Sequence, residues 1–391
     1  MTDVAARLEE LRDRGLYRRL RLIDGPQGPK VMLGGDEVLL LCSNNYLGLA
    51  DDPRVREAAA EAAMRWGAGA GASRLISGNM TPHRQLESQL AGFKGYEAAL
   101  LFGSGYLANT GVIAALAGAG EVVFSDELNH ASIIDGCRLS RAETFVYRHG
   151  DLDHLAWGLR EAGERAALIV SDGIFSMDGD VAPLQGLFEL SRSHGCRLMV
   201  DEAHATGAIG PGGRGSVAAA GLSGEVEVVV GTLGKALGSY GAYVCADAET
   251  VDFLVNNSRP FIFSTAPPPP AVGAAAAALA LLEAEPRRVD RLQANAATLR
   301  SALRREGLPA GASSTQIVPV EIGEAGPTMA LCELALQRGV FAQGIRPPTV
   351  PEGSSRLRFT VMSTHTTAEL EQAAKSVGAA ARELSLLPVH A

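Results

Sequence analysis

The chain has 391 residues, 47% hydrophobic and 20% charged, an ordinary balance for a globular protein with ample core. Its formal net charge is −9 with no long run of one sign, which argues against a nucleic-acid partner and a polybasic membrane patch. Five scattered cysteines (Cys42, Cys137, Cys196, Cys245, Cys332) lack metal-ligand spacing and read as reduced cytosolic thiols.

Thr2 to Arg21 is charged throughout, with apolar Leu8, Leu11, Leu16 and Leu20. This pattern predicts an amphipathic helix lying on the protein, not a secretory signal, and with it a cytoplasmic setting. Strand-like runs then alternate with helical patterns. The expected strands are Ala99–Phe102, Val122–Ser125, Thr144–Tyr147, Ala167–Ser171, Arg197–Asp201, Val226–Gly231 and Ala242–Cys245, with helices between most of them, such as Pro183–His194. Near-continuous apolar strands separated by helices predict an α/β fold whose mostly parallel sheet is covered on both faces. Pro267–Pro270 close this region. An alanine- and leucine-rich helix, Ala271–Glu285, is expected next, its apolar stretch too short to span a bilayer. A smaller α+β pattern follows, with strands near Thr315–Glu321 and Ser355–Val361. The expected division is an N-terminal segment 1–45, a large domain 46–270 and a small domain 271–391.

Three features carry chemistry. Leu100 to Asn109 is a strand running into the turn Gly103-Ser104-Gly105 and then a helix, whose first N–H groups suit a phosphate. The same glycines fit a dinucleotide fingerprint, and Asp126 ends the next strand where a ribose-binding acid sits, so a nicotinamide-dependent oxidoreductase is a competitor on this piece. Second, the apolar strand Leu198–Val200 delivers Asp201 at its carboxyl end, with His204 three residues on. A lone aspartate there is commonly a turn or helix cap. Third, Val228–Val230 breaks into a glycine-flanked turn holding Lys235. A loop lysine ordinarily snorkels to water, but one packed on apolar chain becomes a nucleophilic amine. Pyridoxal phosphate (PLP) needs all three together: a lysine for its aldehyde, a carboxylate against its ring nitrogen, and a phosphate cradle, to which Thr232 can add a hydroxyl.

With these go Ser43-Asn44-Asn45-Tyr46-Leu47-Gly48-Leu49, Gly71 to Gly78, Asn129-His130-Ala131-Ser132, Phe175 to Asp180, Asp201-Glu202-Ala203-His204 and Thr232-Leu233-Gly234-Lys235. In this order and number they make the chain resemble the α-oxoamine synthases, PLP enzymes of fold type I, over nearly its whole length. Gly344-Ile345-Arg346-Pro347-Pro348-Thr349-Val350-Pro351 is similar to the segment of the biotin-pathway member, which condenses L-alanine with pimeloyl-CoA or a pimeloyl carrier protein. Glycine-using relatives such as glycine C-acetyltransferase are the alternative within the family.

The resemblance implies a seven-stranded large domain, a smaller C-terminal domain and a homodimer with shared sites. It implies that Lys235 carries the cofactor and moves the substrate Cα proton, and that Asp201 pairs with the ring nitrogen. His130 would stack on the ring, with His204 and Ser176 near its phenolic oxygen. Gly105, Tyr106 and Thr232 would hold the phosphate, with Ser264 and Thr265 reaching it from the partner subunit. Arg358 would clamp the amino-acid carboxylate with help from Asn44, and Arg18, Arg346 and Thr349 would meet the acyl substrate or product. Arg356, on the same strand face as Arg358, competes for the clamp.

Overall fold

The computed structural model describes residues 3–311 and 313–387. The chain forms two compact units, the larger made of Asn45–Ser176 and Asp180–Asp290, the smaller of the chain up to Asn44, Met177–Gly179 and the chain from Arg291.

The larger unit is built on seven strands: β1 (Ala98–Phe102), β2 (Val122–Asp126), β3 (Glu143–Tyr147), β4 (Ala166–Asp172), β5 (Arg197–Asp201), β6 (Val228–Thr232) and β7 (Ala242–Ala246). Their order in the sheet is β1-β7-β6-β5-β4-β2-β3. Only β7 runs antiparallel to its neighbours; β3, β2, β4, β5 and β6 are parallel. Side-chain alternation along each strand explains the continuous apolar runs. Val123, Leu168, Val170, Met199, Val228 and Val230 enter one core cluster, and Val122, Phe124, Ile169, Leu198, Val200 and Val229 enter another. β2, β4, β5 and β6 therefore need apolar residues at both parities, as expected for the interior of a sheet covered on both faces, while the edge strand β3 leaves Glu143, Thr144 and Val146 exposed.

This topology places the carboxyl ends of the parallel strands along one sheet edge, where open α/β sheets bind ligands. Asp126, Asp172, Asp201 and Thr232 are the terminal residues there. The helix Pro269–Ala284 starts inside the proline run, since its first-turn nitrogens need no intrahelical partner. It packs in the larger unit against Pro53–Trp66.

In the smaller unit, Ile317–Gly323, Ser355–Thr360 and Gln343–Ile345 make a three-stranded sheet. A second sheet pairs Ile23–Asp24, Lys30–Leu33, Asp36–Leu40 and Val340–Phe341. The N-terminal helix departs from expectation. It covers only Val4–Asp13 and buries none of its residues. Gly15 at φ +64° breaks it, and Leu16 N–H bonds back to the Leu11 carbonyl. Leu8 and Leu11 stay exposed and Leu20 lies outside the helix, so the leucines do not form one packed face. Among the described residues no helix is long and apolar enough to cross a membrane, and no cluster of ligating side chains could hold a metal ion.

Candidate active site

Lys235 follows β6 in a tight turn. Gly238 N–H bonds to the Lys235 carbonyl at 3.0 Å and Ser239 N–H to the Leu233 carbonyl at 2.8 Å. The turn needs glycine at 238, where φ is +58° and a Cβ would stand 2.4 Å from the Ala50 nitrogen. The half-buried Lys235 places Nζ 3.1 Å from His204 Nε2, and the other ring nitrogen, Nδ1, lies 2.6 Å from the Tyr46 hydroxyl. Tyr46 is fully buried and His204 nearly so. A lysine amine thus ends a buried Tyr–His–Lys chain.

Asp201 ends β5, and its carboxylate is held at both oxygens. Oδ1 accepts the Ala203 N–H at 2.8 Å and Oδ2 accepts Asn109 Nδ2–H at 2.6 Å. The same Asn109 amide donates to Ser132 Oγ at 2.8 Å, and Ser132 Oγ lies 2.8 Å from His130 Nδ1. His130 is the N-cap of the helix Ala131–Ser140. Its backbone N–H donates to Asp172 Oδ2 at 2.7 Å. The imidazole is exposed at the site. The protein around it still desolvates the ring and holds its pKa below the usual histidine range, with Lys235 acting in the same direction and Asp201 opposing.

Asp172 and Asp201 pair in register across β4 and β5. Burial, then the charge of Asp201, pushes Asp172 well above the usual carboxylate range. A buried carboxylate at a strand end, Asp201, suits a cationic ring nitrogen, while Asp172 holds the backbone of His130.

The phosphate end is a cradle of small groups. Ser104 caps the helix Gly105–Leu116, its Oγ accepting the Leu107 N–H at 3.3 Å. The first-turn N–H groups of Gly105 and Tyr106 have no partner inside the helix and present partial positive charge. A Cβ on Gly105 would sit 2.7 Å from Thr232 Cγ2, so only glycine allows this approach of helix to β6. Thr232 Oγ1 lies 3.5 Å from the Ala203 carbonyl. The Tyr106 hydroxyl bonds to Asp135, leaving its backbone as the available donor. Thr265 is bridged to Ser73, which pins the Ser264–Thr265 segment beside the exposed Phe263. Ser176 closes the segment of the larger unit that precedes Met177. Lysine, strand-end carboxylate and glycine cradle fit PLP.

The expected substrate residues lie on the smaller unit. Arg356 is committed: it donates to the Ser354 carbonyl at 3.0 Å and pairs with Asp178. Arg358, nearly buried, is two residues along the same strand. The neighbouring turn of chain is Ser43–Asn44, where the Ser43 carbonyl accepts from Thr360 Oγ1 at 2.8 Å. Arg346 donates to the Tyr17 carbonyl at 3.0 Å and so ties down the chain just before Arg18, whose side chain is exposed. Thr349 is exposed in a turn whose N–H bonds to the Arg346 carbonyl at 3.1 Å.

Asp126 does not wait for a ribose. Its carboxylate accepts from Leu128 N–H and Gly150 N–H, both at 2.9 Å, and meets His149 Nδ1 at 3.0 Å. Asn109, Ser132 and Asp172 join the site without having been singled out in the sequence. Asp172 had one available signal, an aspartate ending a predicted apolar strand just as Asp201 does.

The model of the family described as "Aminotransferase class I and II" matches residues 36–377. An 8-amino-7-oxononanoate synthase of Geobacter sulfurreducens is 52% identical over 388 residues, covering 98% of this chain and 99% of its own. The protein of that name from Citrifermentans bemidjiense is 50% identical over 390 residues, covering 99% and 100%. Among solved structures, a serine palmitoyltransferase from S. paucimobilis with bound PLP–myriocin superposes with a TM-score of 0.93 at 32% identity, covering 98% of each chain. These matches do not favour the nicotinamide reading of the Gly103–Ala108 turn.

Proposed function

The chain belongs to the class I and II aminotransferase family, and from that premise we propose that it is an acyltransferase of biotin biosynthesis. It joins L-alanine to a pimeloyl thioester and yields 8-amino-7-oxononanoate, CO2 and the free thiol carrier. PLP is the cofactor. When bound, it supplies an aldehyde that joins the amino acid and a ring that takes up the electron pair left at Cα.

The observation that carries the reading is the Tyr46–His204–Lys235 chain, set beside the strand-end carboxylate Asp201. In this reading Lys235 holds the cofactor at rest and then takes the alanine Cα proton, with His204 3.1 Å away to orient the amine. Asp201, fixed by Asn109 and Ala203, keeps the ring nitrogen protonated. His130 covers the ring face and donates toward the thioester oxygen, where negative charge grows as the Cα–acyl bond forms and the C–S bond breaks. Gly105, Tyr106, Thr232 and Ser176 hold the cofactor's polar groups.

The remaining roles rest on the family resemblance. Arg358 and Asn44 recognise the alanine carboxylate; Arg18, Arg346 and Thr349 recognise the acyl partner or product. Ser264 and Thr265 serve the site of a second copy. The exposure of Leu75, Ile76 and Phe263 next to that segment supports a homodimer, because such apolar groups are commonly covered by a partner.

The test is turnover with L-alanine and pimeloyl-CoA beside glycine and acetyl-CoA, and with pimeloyl carrier protein as donor. Alanine with a pimeloyl donor should win by orders of magnitude. Preference for glycine and a short acyl chain would replace this reading with the glycine C-acetyltransferase one.

A further inference from the structure

We propose that Asn109 and Ser132 form a relay that fixes His130 in one neutral form, with Nδ1 bare and the only ring proton on Nε2. His130 then enters the reaction as a hydrogen-bond donor, not as a base. The inference rests on the functional reading above and assigns two positioning residues to it.

Asp201 anchors the relay. Its Oδ2 lies 2.6 Å from the Asn109 amide. A carboxylate only accepts, so the amide must present nitrogen there, because oxygen against oxygen at that distance repels. One Nδ2 hydrogen goes to Asp201. The second goes to Ser132 Oγ at 2.8 Å. Asn109 is 1% exposed, and among the described residues its Oδ1 has no hydrogen-bond partner. Leaving an acceptor unpaired is a real cost, which fits an amide held for its two N–H groups.

Ser132 Oγ, having accepted from Asn109, has one hydrogen to give, and His130 Nδ1 is 2.8 Å away. The Ser132 backbone N–H donates to the same Nδ1 at 3.2 Å, as part of the helix cap. Two donors on one nitrogen require its lone pair. A proton on Nδ1 would face both of them, so the imidazolium and the Nδ1–H tautomer are each disfavoured. Nε2, the distal nitrogen, keeps the proton.

The charged groups acting on the ring are Asp201 and Lys235, in opposite senses, and Asp172 holds the backbone of His130. The relay therefore runs from the carboxylate assigned to the cofactor nitrogen to the histidine assigned to its face. Asn109 and Ser132 act through Asp201 and His130 as positioning residues.

The test reads the ring directly. The full-length protein, labelled with 15N-histidine, is examined by proton–nitrogen correlation with and without PLP, and His130→Gln assigns the signal. The expected result near neutral pH is a bare Nδ1 and a protonated Nε2. In Ser132→Ala the titration midpoint of His130 should rise by about half to one pH unit, as one donor to the neutral form is lost. Ser132→Thr should restore it. Asn109→Ala, should Ser132→Ala fail to fold, should shift the midpoint in the same direction by less. An Nδ1-protonated or charged ring in the wild type, or a midpoint unmoved by these variants, overturns the relay. The ring signal needs no substrate, so the expected tautomer in a protein that does not join alanine to a pimeloyl thioester would refute the functional reading alone. Turnover with the wrong tautomer would refute the relay alone.

Discussion

Asp172 and Asp201 stand side by side at the carboxyl ends of neighbouring parallel strands, partners in register across β4 and β5. Asp172 accepts the His130 backbone N–H at 2.7 Å, while burial and then Asp201 push its pKa up. The sign follows. A raised folded-state pKa means that the folded protein holds a proton that the unfolded chain releases above about pH 4. Cofactor-free protein should therefore lose stability as pH rises through that window. Asp172→Asn keeps an oxygen for His130 and removes the charge. It should flatten the loss between pH 5 and 8 and melt a few degrees higher than wild type at pH 8, at roughly 2–4 °C per kcal/mol. Asp172→Ala should melt lower, because the partly buried His130 N–H loses its acceptor, a net cost of about 1 kcal/mol. Thermal melts of cofactor-free protein at the two pH values decide it.

The Gly105–Thr232 approach gives a paired test. A Cβ at 105 would stand 2.7 Å from Thr232 Cγ2. Gly105→Ala should push the helix start away from β6 and weaken PLP binding at least about tenfold, since a preorganised cradle tolerates little displacement. Thr232→Ser removes that methyl and keeps the hydroxyl. The double variant should recover much of the affinity, with a coupling of about 0.5–3 kcal/mol between contacting sites. PLP titration followed by absorbance measures all four proteins. Additive losses would mean that the clash is not what excludes alanine at 105.

The central sheet was legible because its strands are buried on both faces. Val228-Val229-Val230 has to be apolar at every position, so its ends show where polarity returns. The places of Lys235 and Asp201 in the fold were legible for the same reason, each standing just past such a run. Asn109 was not: nothing in a helical Ala108-Asn109-Thr110 tells that its amide meets a strand-end carboxylate from 92 residues along the chain. Ser132 resembles any first-turn serine until His130 is seen capping the helix through its ring. The N-terminal helix misled in the other direction. Its leucine spacing looks amphipathic, but Gly15 adopts a left-handed conformation and the leucines beyond it leave the helix. Spacing reports a face only where something packs on it.

The two arginines of Ser355–Thr360 should separate by kinetic parameter. Arg356 is already paired with Asp178, and the carboxylate clamp is proposed for Arg358. Arg358→Lys loses the planar fork and should raise KM for alanine by about 10–100-fold, with a smaller change for the acyl donor. Arg356→Lys should leave the alanine KM within a few-fold and lower thermal stability instead. The reverse pattern would transfer the clamp to Arg356.

His149 offers the clearest pH signature away from the chemistry. Its Nδ1 meets Asp126 at 3.0 Å and its Nε2 meets Asp180 at 2.9 Å, and the ring packs edge-on against Phe175 with centroids 4.4 Å apart. Phe175 N–H bonds to the Asp180 carbonyl, and Ile174 bridges Val181, so the imidazolium fastens a narrow hairpin onto the end of β2. Asp126, then Asp180, raises its pKa to about 10. A raised histidine pKa stabilises fully below the unfolded value of about 6.5, and that contribution disappears as pH climbs through about 10. His149→Gln keeps part of the hydrogen bonding without the charge. Because the pair with Asp180 is partly open to solvent, the deficit should be modest, about 1–2 kcal/mol. Urea unfolding of wild type and variant from pH 6 to 10 should show the gap widest at the acid end and closing as pH approaches 10. A gap that stays constant over that range would assign the contribution to shape and packing on Phe175 and not to charge.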